Sequence, residues 1–155
     1  MESFSFDTWF AVRYVHVASI ALLAGGAFAS LALCVSAGAG GSLNATLAAA
    51  TVYERVFWLV AGVTVATGIS NLGLKGDGLL GPDTNWGAAL LVKLGAVLFL
   101  LALSVVRSDL VIQCRARSDA RSDRERTALM TCYSLTLAVL MGAMWAGLGL
   151  AHGRY

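Results

Sequence analysis

Charge is what this chain has least of. Of 155 residues, 11 are Lys or Arg and 9 are Asp or Glu, a share of 13% where soluble domains carry about 25%. The longest polar stretch is residues 107–126, so a soluble domain of any size has nowhere to sit, and no nucleic-acid partner is expected. Proline is nearly absent: Pro82 is the only one, and it lies between apolar runs. The three cysteines, Cys34, Cys114 and Cys132, have no CxxC spacing. That excludes a disulfide framework and a thiolate metal cluster, and leaves them as small apolar packers near helix ends. The first residues carry Glu2 and Asp7 but no lysine, so the basic region of a signal peptide is missing and the first apolar segment is expected to remain as a span. The glycines of residues 73–85 do not make GxxxxGK[ST], so no phosphate-binding loop is present. No Ser/His/Asp grouping supports nucleophilic hydrolysis.

What the chain does have is apolar length. It is 58% hydrophobic, with a mean hydropathy of +0.75. Ala89 to Val106 reads ALLVKLGAVLFLLALSVV, which at ~1.5 Å per residue nearly fills the ~30 Å hydrocarbon core of a bilayer. One ammonium group, Lys93, lies inside it at a cost of ~2.5–3.5 kcal/mol on insertion scales, so it must be paired, solvated or used. Similar runs predict spans at about 9–36, 51–72, 86–106 and 127–151. The expectation is an all-α integral membrane four-helix bundle, antiparallel and up-down. Residues 1–8 read as a short polar lead and 37–50 as a small-residue link. Tyr53, Glu54, Arg55 and Trp58 read as an interfacial set, and 107–126 as a solvated helix extension or loop. The arginines of 107–126 place that segment on the cytoplasmic side of a bacterial-type cytoplasmic membrane, with both termini outside.

On this topology polar groups gather in the outer half. His16 and Lys93 each lie about seven residues inside their spans, ~10 Å below the outer boundary. Trp86 shares the Lys93 face. Arg13 lies one turn from His16. Thr64, Thr67 and Asn71 share one face of the second span, with Gly68 beside them. His152, and Trp145 seven residues before it, close the fourth span. The inner half offers mainly leucine, valine and small residues. Intramembrane ionisable groups default to function, although each has a bland alternative: His16 bonded to a neighbouring helix, Lys93 and Arg13 snorkelling, Asn71 as interhelical glue. Neutral imidazole is an axial ligand for haem iron, with Lys93 or His152 opposite and Lys93 or Arg13 for the propionates; Gly25, Gly26 and Gly68 are expected to make room for a flat ligand. A copper site would draw on His16, His152 and the Met141–Met144 pair.

Several of these residues also resemble a known superfamily. His16 followed by Gly25-Gly26 and Phe28 is similar to the H-x8-GG-x-F opening of the membrane domain in CopD-type copper-resistance proteins. Leu91-Val92-Lys93-Leu94, closing in Arg107, resembles the LxKL…R helix of that family, and Tyr53-Glu54-Arg55 to Thr67-Gly68 its middle helix. The four-span HemJ-type protoporphyrinogen oxidases are similar in their first-span histidine and KL-span lysine. The resemblance covers roughly residues 10–107. It implies a haem-b-binding or copper-handling bundle, with His16 and Lys93 tied to haem binding.

Three readings follow from the sequence. The first is a b-type haem protein with an electron-transfer role, working with quinone or a membrane redox partner; if it is an enzyme, it is an oxidoreductase. The second is a copper transport or resistance protein, and the third a small accessory subunit of a larger complex or homo-oligomer.

Overall fold

The computed structural model describes residues 2–74, 84–116 and 123–151, and the side chains of 7–73, 84–116 and 123–148. Four helices account for nearly all of them: α1 (Glu2–Gly38), α2 (Leu43–Leu74), α3 (Asn85–Ala116) and α4 (Asp123–Ala151). Each contains a stretch long and apolar enough to cross a membrane. The expected antiparallel four-helix membrane bundle is therefore the fold. Glu2, Leu74, Asn85 and Ala151 gather at one end, the terminal end; Gly38, Leu43, Ala116 and Asp123 mark the opposite end.

Each helix is longer than hydropathy alone indicates. Residues 2–8 continue α1 instead of forming a separate lead. The expected 37–50 link shrinks to 39–42. Gly40 takes a positive φ of 98° there, and the Ala39 and Gly41 amides both donate to the Ser36 carbonyl at 3.0 Å, closing α1. Ser42 then caps α2, its hydroxyl accepting from the Ala45 amide at 3.3 Å. Thr84 caps α3 in the same way, accepting from Gly87 at 3.0 Å. Residues 107–116, expected to be solvated, continue α3, and α4 starts at Asp123. Residues 75–83 and 117–122 lie outside the described residues.

The helices form a ring in chain order: α1 packs on α2 and α4, α3 packs on α4, and the α2–α3 seam is the lightest of the four. The core is drawn from Leu23, Ala27, Ala50, Phe57, Leu129 and Leu140, among others. Large apolar side chains also cover the outside, with Leu22, Leu59, Val92 and Leu98 each more than 60% exposed. Helices apolar all round belong in lipid. Hydroxyls inside the spans satisfy themselves along their own helix: Thr51, Thr64, Ser104 and Thr136 each donate to the carbonyl four residues back at 2.7–2.8 Å.

Candidate functional site

His16 sits half-buried on α1, facing α2. Its Nδ1 lies 3.0 Å from the Thr64 carbonyl and 3.0 Å from Thr67 Oγ1. A carbonyl oxygen can only accept, so Nδ1 carries the proton and donates. The Thr67 hydroxyl sends its own proton to the Val63 carbonyl at 2.7 Å and has lone pairs to spare for the imidazole. The tautomer is thus fixed, and the Nε2 lone pair remains available. Thr64 and Thr67 reach one ring because a spacing of three residues returns to the same helix face. Gly68 completes the contact: a Cβ there would stand 3.3 Å from His16 Cε1.

Lys93 lies on α3 with its Nζ turned to α4, 3.2 Å from the place a Gly147 Cβ would occupy. It is half-buried and has no hydrogen-bond or ion-pair partner among the described residues.

The other expected members stand apart. Arg13 is exposed, its guanidinium 5.0 Å from the Trp9 ring centroid. Asn71 is half-buried one turn beyond Thr67, and no described contact joins it to His16. Trp86 is half-buried in the first turn of α3, seven residues from Lys93. His152 lies outside the described residues. Trp145, expected on the His152 face of the fourth span, is 75% exposed. Met141 and Met144 are 60% and 38% exposed, on the surface rather than converging on His16. The glycines do not leave a slot either. Tyr53 fills the space over Gly26, where a Cβ would come within 2.5 Å of its ring, His16 occupies the space over Gly68, and Gly25 faces open space.

A second polar centre lies nearer the opposite end, built from Glu54 and Arg107, which were expected at the water boundary. Arg107 is 0% exposed and Glu54 6%. Arg107 Nε donates to Glu54 Oε1 at 2.7 Å and Nη2 to Oε2 at 3.1 Å, a two-pronged pair. Arg107 Nη1 donates to Thr136 Oγ1 at 2.6 Å. Glu54 also accepts from Tyr133 at 3.1 Å and from Ser108 at 2.7 Å. Trp58 Nε1 donates to Ser108 at 3.1 Å. The rings of Phe57, Tyr53 and Tyr133 surround the guanidinium at 4.5, 5.1 and 5.3 Å. The centre ties α2, α3 and α4 together, and Tyr53, donating to the Leu23 carbonyl at 3.0 Å, brings in α1. Sequence reasoning missed it because Glu54 and Arg107 each stand beside other polar residues at the edge of an apolar run. The signal that could have found it is one acid and one base at matching depth on adjacent antiparallel helices.

Among the described residues no three His, Cys, Asp or Glu side chains group as a metal site. No protein-family model, curated protein or solved structure matches the chain.

Proposed function

We propose that this chain is a b-type haem protein of the membrane, with His16 Nε2 on the iron and a role in passing electrons. The observation that carries the reading is the His16 Nδ1–H held between the Thr64 carbonyl and the Thr67 hydroxyl, each at 3.0 Å. Metal-bound histidines characteristically donate their other N–H to a carbonyl, carboxylate or water, which fixes the tautomer and raises ligand basicity. What supports the reading is one oriented imidazole with a free nitrogen in an apolar bundle. Haem, when bound, supplies one-electron chemistry.

The residues of the chain do the rest. Thr64 and Thr67 orient the ring. Gly68 lets α2 approach it. Arg13, one turn toward the terminal end, offers a positive group for a propionate. The reading places the protein in a bacterial-type cytoplasmic membrane with 107–126 on the cytoplasmic side, exchanging electrons with quinone or a membrane redox partner. The copper reading is supported less, because Met141 and Met144 sit on the surface of α4.

The test is optical. Purified protein supplied with haem should give a b-type Soret band and pyridine haemochrome. His16→Ala should lose both while migrating as a monodisperse species. Absence of the bands in the wild-type protein, or their persistence in the variant, overturns the reading.

A further inference from the structure

A groove of about 420 Å³ runs between α3 and α4, within the ~300–1,000 Å³ typical of small-ligand sites. It is lined largely by small residues, including Gly95, Ala96, Gly142 and Ala143, together with Phe99. Val92 and Phe99, on its wall, are 69% and 53% exposed, so the groove faces the hydrocarbon around the bundle. Among the described residues the one polar side chain lining it is Lys93.

The arrangement is directional. The helices are antiparallel, and Lys93 Nζ stands beside Gly147, about one turn short of the end of α4 at Ala151. From Lys93 to Phe99 the trough descends six residues, ~9 Å along the helix. The amine thus lies toward the terminal end of the bundle, and an apolar channel leads from it toward the bilayer centre. An ammonium is donor-only and needs acceptors, and the chain supplies it none among the described residues.

We propose that this groove holds one anionic glycerophospholipid, its phosphate on Lys93 and the first part of an acyl chain along the Gly95–Gly142 lining. Charge complementarity selects the occupant. An anionic phospholipid brings an uncompensated phosphate, whereas a zwitterionic one carries its own cation to compete with Lys93. The assignment does not rest on the haem reading, since it makes no use of His16.

The experiment is native mass spectrometry of the full-length protein released from bilayer discs containing equal amounts of phosphatidylglycerol and phosphatidylcholine. Wild-type protein should retain phosphatidylglycerol over phosphatidylcholine by roughly fivefold, the preference that one interfacial lysine confers. Lys93→Gln should erase the preference and Lys93→Arg should keep it. Neither variant removes a contact of the fold, because among the described residues no protein group bonds to the amine. Gly142→Leu fills the trough at a position where a Cβ meets open space, and it should lower retention of both lipids. Equal retention of the two lipids by the wild-type protein overturns the assignment. So does an undiminished preference in Lys93→Gln, or unchanged retention in Gly142→Leu.

Discussion

Glu54→Gln is the substitution that most directly probes what holds the four helices in register. Glu54 accepts four hydrogen bonds, two of them from a guanidinium that is itself 0% exposed. The amide keeps one acceptor oxygen but turns an NH2 group toward an arginine that can only donate. Two donors then face each other and the Arg107 charge stands buried without a counter-ion. Breaking a buried pair from one side costs ~3–5 kcal/mol. Arg107→Met is expected to cost less. The Tyr133 and Ser108 hydroxyls still donate to the carboxyl group left behind. The double variant removes both charges and should recover to within ~1–2 kcal/mol of wild type, as buried pairs replaced by apolar groups do. The coupling term of the cycle should therefore be large, on the order of 2–3 kcal/mol. Reversible unfolding in mixed micelles, titrated with a denaturing detergent and followed by tryptophan fluorescence, reads all four proteins. The reasoning fails if Glu54→Gln lies within about 1 kcal/mol of wild type, or if the double variant is as unstable as the sum of the singles.

Three further outcomes follow. Tyr133→Phe removes one hydroxyl bond to the Glu54 carboxylate and should destabilise by ~1.5–3 kcal/mol in the same titration. Gly26→Ala drives a methyl to 2.5 Å from the Tyr53 ring and should cost ~1–3 kcal/mol; Gly25→Ala, facing open space, should be neutral or stabilising by up to ~1 kcal/mol through helix propensity. Thr67→Val removes one of the two acceptors that hold His16 Nδ1 and should weaken haem affinity ~10-fold in an equilibrium titration, at the low end for such partners because the Thr64 carbonyl remains.

Fold class was readable in the sequence because it depends on a sum. Four long apolar runs report themselves whatever their neighbours are, and turn residues such as Gly40 and Ser42 mark the breaks. The helix ends were less readable. Residues 43–50 and 107–116 are polar or small enough to pass for links, and they are helical because their backbone groups have no better partners than one another. The histidine face was partly readable: Thr64 and Thr67 at helical spacing announce a shared face, though not that His16 would meet it. The Glu54–Arg107 centre was not readable. Its partners are 53 residues apart, and local context made each look like a group at the water boundary. Pairing across a bundle is decided by depth and rotation together, and a one-dimensional pattern gives only the first. The surface exposure of Met141 and Trp145 was hidden for the same reason.

The three cysteines give the protein a built-in reporter. Cys34, Cys114 and Cys132 are in no disulfide, none more than 8% exposed, on three different helices and all in the half nearer Gly38 and Asp123. A maleimide offered to the intact molecule finds no thiol to alkylate until a helix pulls away. The order in which the three become labelled would therefore record, without any engineered probe, which part of that half loosens first.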